Sequence, residues 1–320
     1  MGLRSRGELP KPRLVADIGG TNARFALTGA DGRPSEGKKL LVADYPGPVE
    51  ATRAFLQGRE IEDAVFAVAL PVAGDRVTFT NSPWTFSIRE VREALGLKRL
   101  AVINDFMAQA LAVPALAPEE RVELCPGEVV PGEPIGVIGP GTGLGVALLV
   151  PDRGAWRAIA SEGGHVSFAP FDERDVEVWR LLRRRFGHVS DERVLAAPGL
   201  VNLAQALAEL AGEKLEIADP MEISQRAAAG SCRFCVEALQ RFSLLLGFAA
   251  GDLALTLCAR GGIYIGGGLS KRLGPLLDAA RLRQGFMAKG RFEVYLARIP
   301  VYLTVRKDPG LLGAAVYQLP

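Results

Sequence analysis

Histidine is almost missing from this chain, at two residues in 320 (His165 and His188), and cysteine is scarce at four (Cys125, Cys232, Cys235 and Cys258). These six side chains contain one isolated Cys-x-x-C, Cys232 to Cys235, and no second ligand pair, which argues against a structural zinc site and against a secreted disulfide framework. The Cys-x-x-C reads as a helix flank in a reduced compartment. Net charge is nearly absent too: 38 Lys plus Arg stand against 36 Asp plus Glu, a formal +2. A balance this even gives no electrostatic footprint for nucleic acid, so any anion must be captured locally. The most lipid-like stretch, Phe242 to Ala259, is short for a bilayer span and carries Asp252 near its middle, so it reads as a buried core helix. Met1 to Pro12 is basic but has no apolar h-region, and Arg6 stands where a myristoylation signal needs Ser or Thr. A loose N-terminal extension on a soluble cytoplasmic protein is expected.

What is present is apolar residue and glycine. At 320 residues, with 48% hydrophobic and 23% charged side chains and 37 glycines, the chain has material for sizeable cores, and its length favours two domains. Arg13 to Ile18 reads as a strand, Gly19-Gly20-Thr21-Asn22 as a turn, and Ala23 to Thr28 as a second strand. A strand over Lys38 to Ala43, a helix over Val49 to Gly58, an apolar run Ala64 to Leu70, a helix from Ile88 to Leu95 and a strand Leu100 to Ile103 follow. Asn104-Asp105 then begins a helix, and the first unit closes near Leu116. Ala117 to Pro134, rich in Pro, Gly and Glu, is expected to be a connection.

After that connection the opening device returns: Ile135 to Ile138, the glycine-rich turn Gly139 to Gly145, then Val146 to Val150. The two turns lie about 120 residues apart, which suggests a duplicated α/β unit. Longer helices dominate the second half, over Arg174 to Phe186, Leu200 to Ala211 and about Cys232 to Leu257, where Gly247 and Gly251 are the weak points. Ile263 to Ile265 is a short buried strand opening into Gly266-Gly267-Gly268, and Val301 to Val305 is the last strand. Asp308-Pro309 supplies an N-cap and first-turn proline for a closing helix.

Several of these turns have the composition of a site. Asp17 sits at a strand end before glycines whose backbone can approach a ligand, and successive N–H groups with the Thr21 hydroxyl suit an anion. Gly139 to Gly145, with Thr142, is a second turn of this kind, and two such turns suit a polyphosphate. The spacing is not that of a dinucleotide fingerprint, and the near match to a Walker-A loop at Gly32 to Lys39 ends in Lys39 where Ser or Thr is required. Asp105, at the carboxyl end of a strand, has the chemistry of a general base, while Asn104 is equally suited to capping the helix. Glu162, His165 and Glu192 lie in or beside glycine-flanked loops and suit a ligand covered in hydroxyls.

Together, Leu14 to Arg24, Ile103-Asn104-Asp105-Phe106, Gly139 to Gly145, Ser161-Glu162-Gly163-Gly164-His165 and Tyr264 to Gly268 resemble the motifs of bacterial ATP-dependent glucokinases, in order and spacing from about Arg13 to the C-terminus. The resemblance implies an actin-like α/β fold of two ribonuclease-H-like domains around a central cleft, the smaller taking residues 1–107 plus 306–320 and the larger 108–305. It implies phosphoryl transfer from ATP to the 6-hydroxyl of D-glucose, with Asp105 as catalytic base and Asn104, Asp105, Glu162, His165 and Glu192 holding the sugar. Asn81, in Asn81-Ser82-Pro83-Trp84, falls in the family's sugar-side loop. Ala16, Asp17, Ile18, Gly19, Gly20 and Thr21, with Gly141, Thr142 and Gly143, would face the ATP phosphates, and Gly266, Gly267 and Gly268 the nucleoside. Asp17 is the candidate for Mg²⁺, and a homodimer is expected. Two other classes share the fold, a sugar-sensing regulator and an actin-like ATPase. The regulator would ordinarily need a DNA-binding segment, which the first twelve residues cannot form, and the ATPase has no need of the Glu162, His165 and Glu192 set.

Overall fold

A computed structural model describes residues 11–35, 37–79 and 82–320. The chain divides into two compact units, one made of residues up to Leu116 together with Lys307–Pro320, the other of Ala117–Arg306.

The first unit contains β1 (Leu14–Ile18), β2 (Asn22–Leu27), β3 (Lys38–Leu41), α1 (Pro48–Leu56), β4 (Asp63–Val68), β5 (Arg76–Thr78), β6 (Thr85–Ser87), α2 (Ile88–Ala94), β7 (Arg99–Asn104) and α3 (Asp105–Ala112). The C-terminal helix, Pro309–Val316, belongs to it as well. Its five-stranded sheet runs β3-β2-β1-β4-β7. The meander β1-β2-β3 is antiparallel, whereas β4 and β7 run parallel to β1. Strands β1 and β4 are apolar at nearly every position because the parallel centre of the sheet is covered on both faces. Phe25 stacks on Phe55 at 5.6 Å and meets the edge of Phe66 at 6.4 Å, and buried Trp84 donates from Nε1 to the Tyr45 carbonyl at 2.9 Å.

Helix α3 stays in this unit, so its boundary lies beyond Leu116 rather than at residue 107. The physical reason is the C-terminal helix. Gly313 lets it approach α3 so closely that a Cβ there would collide with the Ala108 carbonyl, and Gly310 rests against the Asp17 carboxyl. Asp308 occupies the N-cap position of that helix but makes no capping bond; its Oδ1 pairs with Arg24 Nε at 3.1 Å.

The second unit contains β8 (Arg121–Cys125), β9 (Ile135–Pro140), β10 (Leu144–Asp152), β11 (Ala155–Ser161), α4 (Glu173–Phe186), α5 (Glu192–Leu195), α6 (Ala197–Leu210), α7 (Pro220–Ala228), α8 (Arg233–Leu257), β12 (Ile263–Ile265), α9 (Gly268–Leu273), α10 (Ala279–Met287), α11 (Glu293–Leu296) and β13 (Val301–Thr304). Its six-stranded sheet runs β11-β10-β9-β12-β13-β8. Strands β9, β10 and β11 form an antiparallel meander, and β12 and β13 continue parallel to β9. The order β11-β10-β9-β12-β13 therefore reproduces β3-β2-β1-β4-β7, as a duplicated unit requires. Strand β8 corrects the expectation of a plain connection over Ala117 to Pro134: Arg121–Cys125 adds to the open edge of β13 as an antiparallel strand.

Helix α8 is the core of this unit, with Phe242, Leu246 and Ala250 wholly buried, and it is apolar by role rather than by membrane contact. Gly247 and Gly251 are not weak points in it. They seat α10, since a Cβ at Gly247 would meet the Leu282 carbonyl and one at Gly251 would stand 2.5 Å from the Phe286 carbonyl oxygen. Cys232 is the N-cap of α8, its Sγ accepting from the Cys235 N–H at 3.4 Å, so the Cys-x-x-C flanks a helix as expected.

Replacing Gly313 by Val is expected to lower stability by about 2 kcal/mol or more, because the side chain must displace the α3 backbone in an interior packed to crystal density. The shift in the urea midpoint measures it; an unchanged midpoint would mean that the two helices are not held together by this contact.

Candidate active site

In the first unit the parallel register places the site. Ile18, Val68 and Asn104 stand level at the carboxyl ends of β1, β4 and β7, so Asp17 and Asp105 emerge at the same edge of the sheet although they lie far apart in the sequence. Open α/β sheets bind ligands at this edge. Asn104 caps α3, its Oδ1 accepting from the Met107 N–H at 3.0 Å. Its amide nitrogen reaches the Leu70 carbonyl at 3.3 Å and the Asp105 Oδ1 at 3.1 Å, and that oxygen also accepts from the Phe106 N–H at 2.8 Å. Asn104 is thus both a cap and the support that orients the carboxylate beside it. Burial pushes the Asp105 carboxyl up to about 7, with the negative charge of Asp17 adding to the effect.

The turn after β1 is closed by Gly19 N–H donating to the Asn22 carbonyl at 2.9 Å, and the Thr21 carbonyl accepts from Val42 N–H at 3.0 Å. Gly19 and Gly20 are half-buried and Thr21 is exposed. Ala16 and Ile18 are wholly buried core residues of β1, paired to strands on both sides, so what either offers a ligand is limited to backbone. Asn81 lies outside the described residues.

In the second unit the turn after β9 is closed by Gly141 N–H donating to the Gly143 carbonyl at 2.8 Å. It adjoins the loop after β12, because a Cβ on Gly141 would lie 3.9 Å from the Gly268 nitrogen. Gly267 has φ +82°, and a Cβ there would strike the Pro140 carbonyl; only glycine allows the two loops to lie side by side. Gly141 to Gly143 and Gly266 to Gly268 therefore form one glycine surface, although the sequence separates them by more than a hundred residues.

Beside this surface stand three side chains suited to a polyhydroxylic ligand. Glu192 Oε2 accepts from the Leu144 N–H at 3.0 Å, and a Cβ on Gly143 would be 2.5 Å from the same oxygen. Its Oε1 is 3.9 Å from His165 Nδ1, while His165 Nε2 is 3.8 Å from Glu162 Oε2. The imidazole thus lies between two carboxylates, with Glu162 and His165 more than half exposed and Glu192 at 29%. The backbone around His165 is fixed by Gly164, whose Cβ would overlap the Leu144 carbonyl, and by the His188 ring nitrogen, 3.2 Å from the His165 carbonyl.

Two residues that matter here carry no motif. Gly310, from the C-terminal helix, seats Asp17, and Asp191 immediately precedes Glu192 with a carboxyl pushed up to about 7 by burial and by the nearby Asp252 charge. An Asp before a helix signals a cap in sequence, and that signal hides the burial.

Mg²⁺ fits the first unit without a protein cage. No cluster of three or more His, Cys, Asp or Glu side chains suited to a metal exists among the described residues. Asp17 and Asp105 do offer a pair of mutually repelling carboxylates, which a cation would relieve, and Mg²⁺ is characteristically held by one or two carboxylates plus substrate phosphates and water.

A carboxyl that titrates higher in the folded than in the unfolded state binds more protons when folded, so its contribution to stability falls as pH rises from about 4 to about 7. Asp105→Asn is accordingly expected to be more stable than the parent at pH 8 without nucleotide or metal, the advantage shrinking as pH drops through 7 towards 4. Urea midpoints at pH 5 and 8 test this, and an equal difference at both would place the Asp105 titration elsewhere.

The glucokinase family model matches residues 14–319. A glucokinase of Chromobacterium violaceum is 47% identical over 309 residues, covering 96% of this chain and 89% of that protein. Among solved structures, a glucokinase from an Antarctic psychrotroph superposes with a TM-score of 0.88 at 38% identity, over 95% of this chain and 98% of the other. A ROK family glucokinase from Streptomyces griseus, in complex with glucose and AMPPNP, shares the fold at a TM-score of 0.61 and 21% identity, over 95% and 98% of the two chains. The duplicated sheets are those of the actin-like ATPase fold, and with the family model spanning nearly every described residue, this chain belongs to the glucokinase family.

Proposed function

We propose that this chain phosphorylates the 6-hydroxyl of D-glucose with ATP, Asp105 acting as general base and Glu162, His165, Glu192 and Asn104 orienting the other hydroxyls. The observation that carries the assignment of the base is the environment of Asp105, a carboxyl raised to about 7 at the carboxyl edge of a parallel sheet. A base poised near the working pH combines a useful ionised fraction with real affinity for a proton. One Asp105 oxygen is fixed by Asn104 and Phe106, which sets the direction of the carboxylate. As the sugar oxygen attacks the γ-phosphorus in line, its proton passes to Asp105 and the bond from the γ-phosphorus to the β,γ-bridging oxygen breaks, with ADP as the leaving group.

The remaining residues position and neutralise. Glu162 and Glu192 accept bonds from sugar hydroxyls, and His165 offers one donor and one acceptor between them. The turn Gly19 to Thr21 and the glycine surface of Gly141–Gly143 and Gly266–Gly268 let the triphosphate and nucleoside approach the backbone without Cβ interference. Mg²⁺, when bound with the nucleotide at Asp17, supplies positive charge to the transferring group. The family resemblance also supports a homodimer working in the cytoplasm.

A coupled ADP-release assay over glucose, mannose, fructose and N-acetylglucosamine tests this activity. Glucose-dependent release is expected; release that does not depend on sugar would point to an ATPase, and none at all to a sugar-sensing regulator. Asp105→Asn is expected to lower kcat by about 10²–10⁴ with little change in glucose binding. In the parent, kcat/KM should fall about tenfold per pH unit below an apparent pKa near 7, because the protonated carboxyl cannot take a proton. Near-normal turnover in Asp105→Asn would remove the base assignment.

A further inference from the structure

The Cys-x-x-C at the start of α8 has a place in the fold but no part in the proposed phosphoryl transfer. Cys232 is the N-cap residue, with extended backbone torsions, and its Sγ accepts from the Cys235 N–H at 3.4 Å. Capping alone does not call for sulfur, which is a weak acceptor. Ser87, Asn104, Asp172, Asp219 and Asp278 cap α2, α3, α4, α7 and α10 through oxygen, the atom preferred at this position. Cys235 stands three residues on, where a capping box carries Glu or Gln. Both members of that reciprocal pair are thiols here. The backbone leading into Cys232 is fixed as well: Gly230, at φ +63°, follows the end of α7, and Ser231 N–H donates to the Arg226 carbonyl at 3.0 Å. Cys232 is half-buried and within reach of a small solute, whereas Cys235 is buried behind it.

We propose that Cys232 and Cys235 are a reversible dithiol–disulfide couple, Cys232 being the thiol that a peroxide meets and Cys235 the thiol that resolves it. Side chains three residues apart on a helix are neighbours, with Cβ atoms about 5–6 Å apart. A disulfide needs them at about 3.5–4.5 Å. The Cys232 sulfur already lies over the turn that holds Cys235, so the gap closes by rotating its side chain and easing the extended backbone of an end residue, without unwinding the helix. In the first step the Cys232 sulfur attacks a peroxide oxygen, an S–O bond forming as the O–O bond breaks, and the departing hydroxide leaves as water with the proton that Cys232 gave up. The Cys235 sulfur then attacks the Cys232 sulfur. An S–S bond forms as the S–O bond breaks, and the second hydroxide leaves as water with the Cys235 proton. Two thiols are oxidised and one peroxide is reduced, giving a disulfide and two waters. Burial, with the neighbouring Cys232, pushes the Cys235 thiol up to about 12, which suits a thiol that keeps its proton until the first has been oxidised. Resolution of this kind stops Cys232 at the reversible stage of oxidation, before the sulfinic acid that thiols cannot reduce.

The test is thiol counting on the full chain, reduced, freed of reductant, treated with one equivalent of hydrogen peroxide, then unfolded and alkylated with N-ethylmaleimide. The Cys258→Ser variant is treated alongside, because Cys258 is the exposed thiol that could react on its own. Before peroxide the parent carries four alkylatable thiols. Peroxide is expected to remove two of them, in the parent and in Cys258→Ser alike, and dithiothreitol to restore both. Trypsin cuts after Arg233, between the two cysteines, so the disulfide appears as peptides 227–233 and 234–241 joined. Cys235→Ser is expected to give no linked peptides and to leave Cys232 as a sulfenic acid that dimedone traps; if that variant does not fold by circular dichroism, Cys235→Ala takes its place. The proposal is overturned if both thiols survive peroxide, if Cys232 of the parent ends as a sulfinic acid with no linked peptides, if the loss of thiols disappears in Cys258→Ser, or if dithiothreitol does not restore them.

Discussion

Two carboxylates of like charge are built into the same edge of one sheet, and much of the first unit is organised around keeping them there. Asp17 and Asp105 belong to β1 and to the residue after β7, strands that flank β4 and run parallel with it. Parallel register leaves little freedom, because a one-residue slip would turn every side chain to the other face. The strands are so apolar that such a slip would expose a core. Asp17 is then confined by Gly310 of the C-terminal helix, and Arg24, directly across the ladder from Asp17, is engaged by Asp308 at the start of the same helix. The chain's last element thereby belongs to the site's scaffold. A pair of carboxylates maintained against repulsion is costly for stability and useful for a proton transfer beside a cation.

The second unit solves a different problem with the same architecture. Its sheet repeats the order of the first, but where the first unit sets Asp17 and Asp105 at the ends of β1 and β7, the second follows both β9 and β12 with glycine. Glycine surfaces cannot be assembled from any one turn. Gly267 must lie against Pro140 and Gly164 against Leu144 before the loops meet, and each approach is closer than a side chain permits. Duplication thus accounts for the framework, and close backbone approach accounts for the difference between the halves. With a formal charge of only +2 across the chain, there is no strong global field to attract a polyphosphate, and the proposed capture by neutral backbone donors is local.

Legibility in the sequence followed the strength of local signals. Both strand, turn, strand devices, α8 and the C-terminal helix were readable, because apolar runs, Gly clusters and Asp-Pro starts are local and reinforce one another. Strand β8 was not: of its residues only Cys125 is buried, so no buried face alternates along it, and pairing with β13 makes it a strand. Helices α7 and α10 lie outside the elements expected from the sequence, although Asp219 and Asp278 cap them and each carries an apolar face. In the site, Asp105, Glu192 and His165 stood out by residue type, and the glycine motifs by spacing. What they touch did not. That Asn104 reaches the Leu70 carbonyl, or that Gly310 seats Asp17, depends on contacts between distant segments, which no window of sequence contains.

Buried carboxyls are not all of one kind in this protein, and their partners tell them apart. Asp175 is wholly buried, and burial pushes its carboxyl upward. But Arg241 holds it with a 2.8 Å bond, and it accepts from the Phe171 N–H at 3.3 Å, so its charge is answered inside the core and serves to tie α4 to α8. The bonds that oppose the rise at Asp105 come from Asn104 and the backbone, none of them cationic, while the neighbouring charge of Asp17 adds to it. Structural ion pairs and catalytic acids can both perturb a titration, but only the first satisfy the charge they bury. A carboxylate left with an uncompensated burden at the edge of a sheet has a reason to attract a proton, which is the property the proposed general base requires.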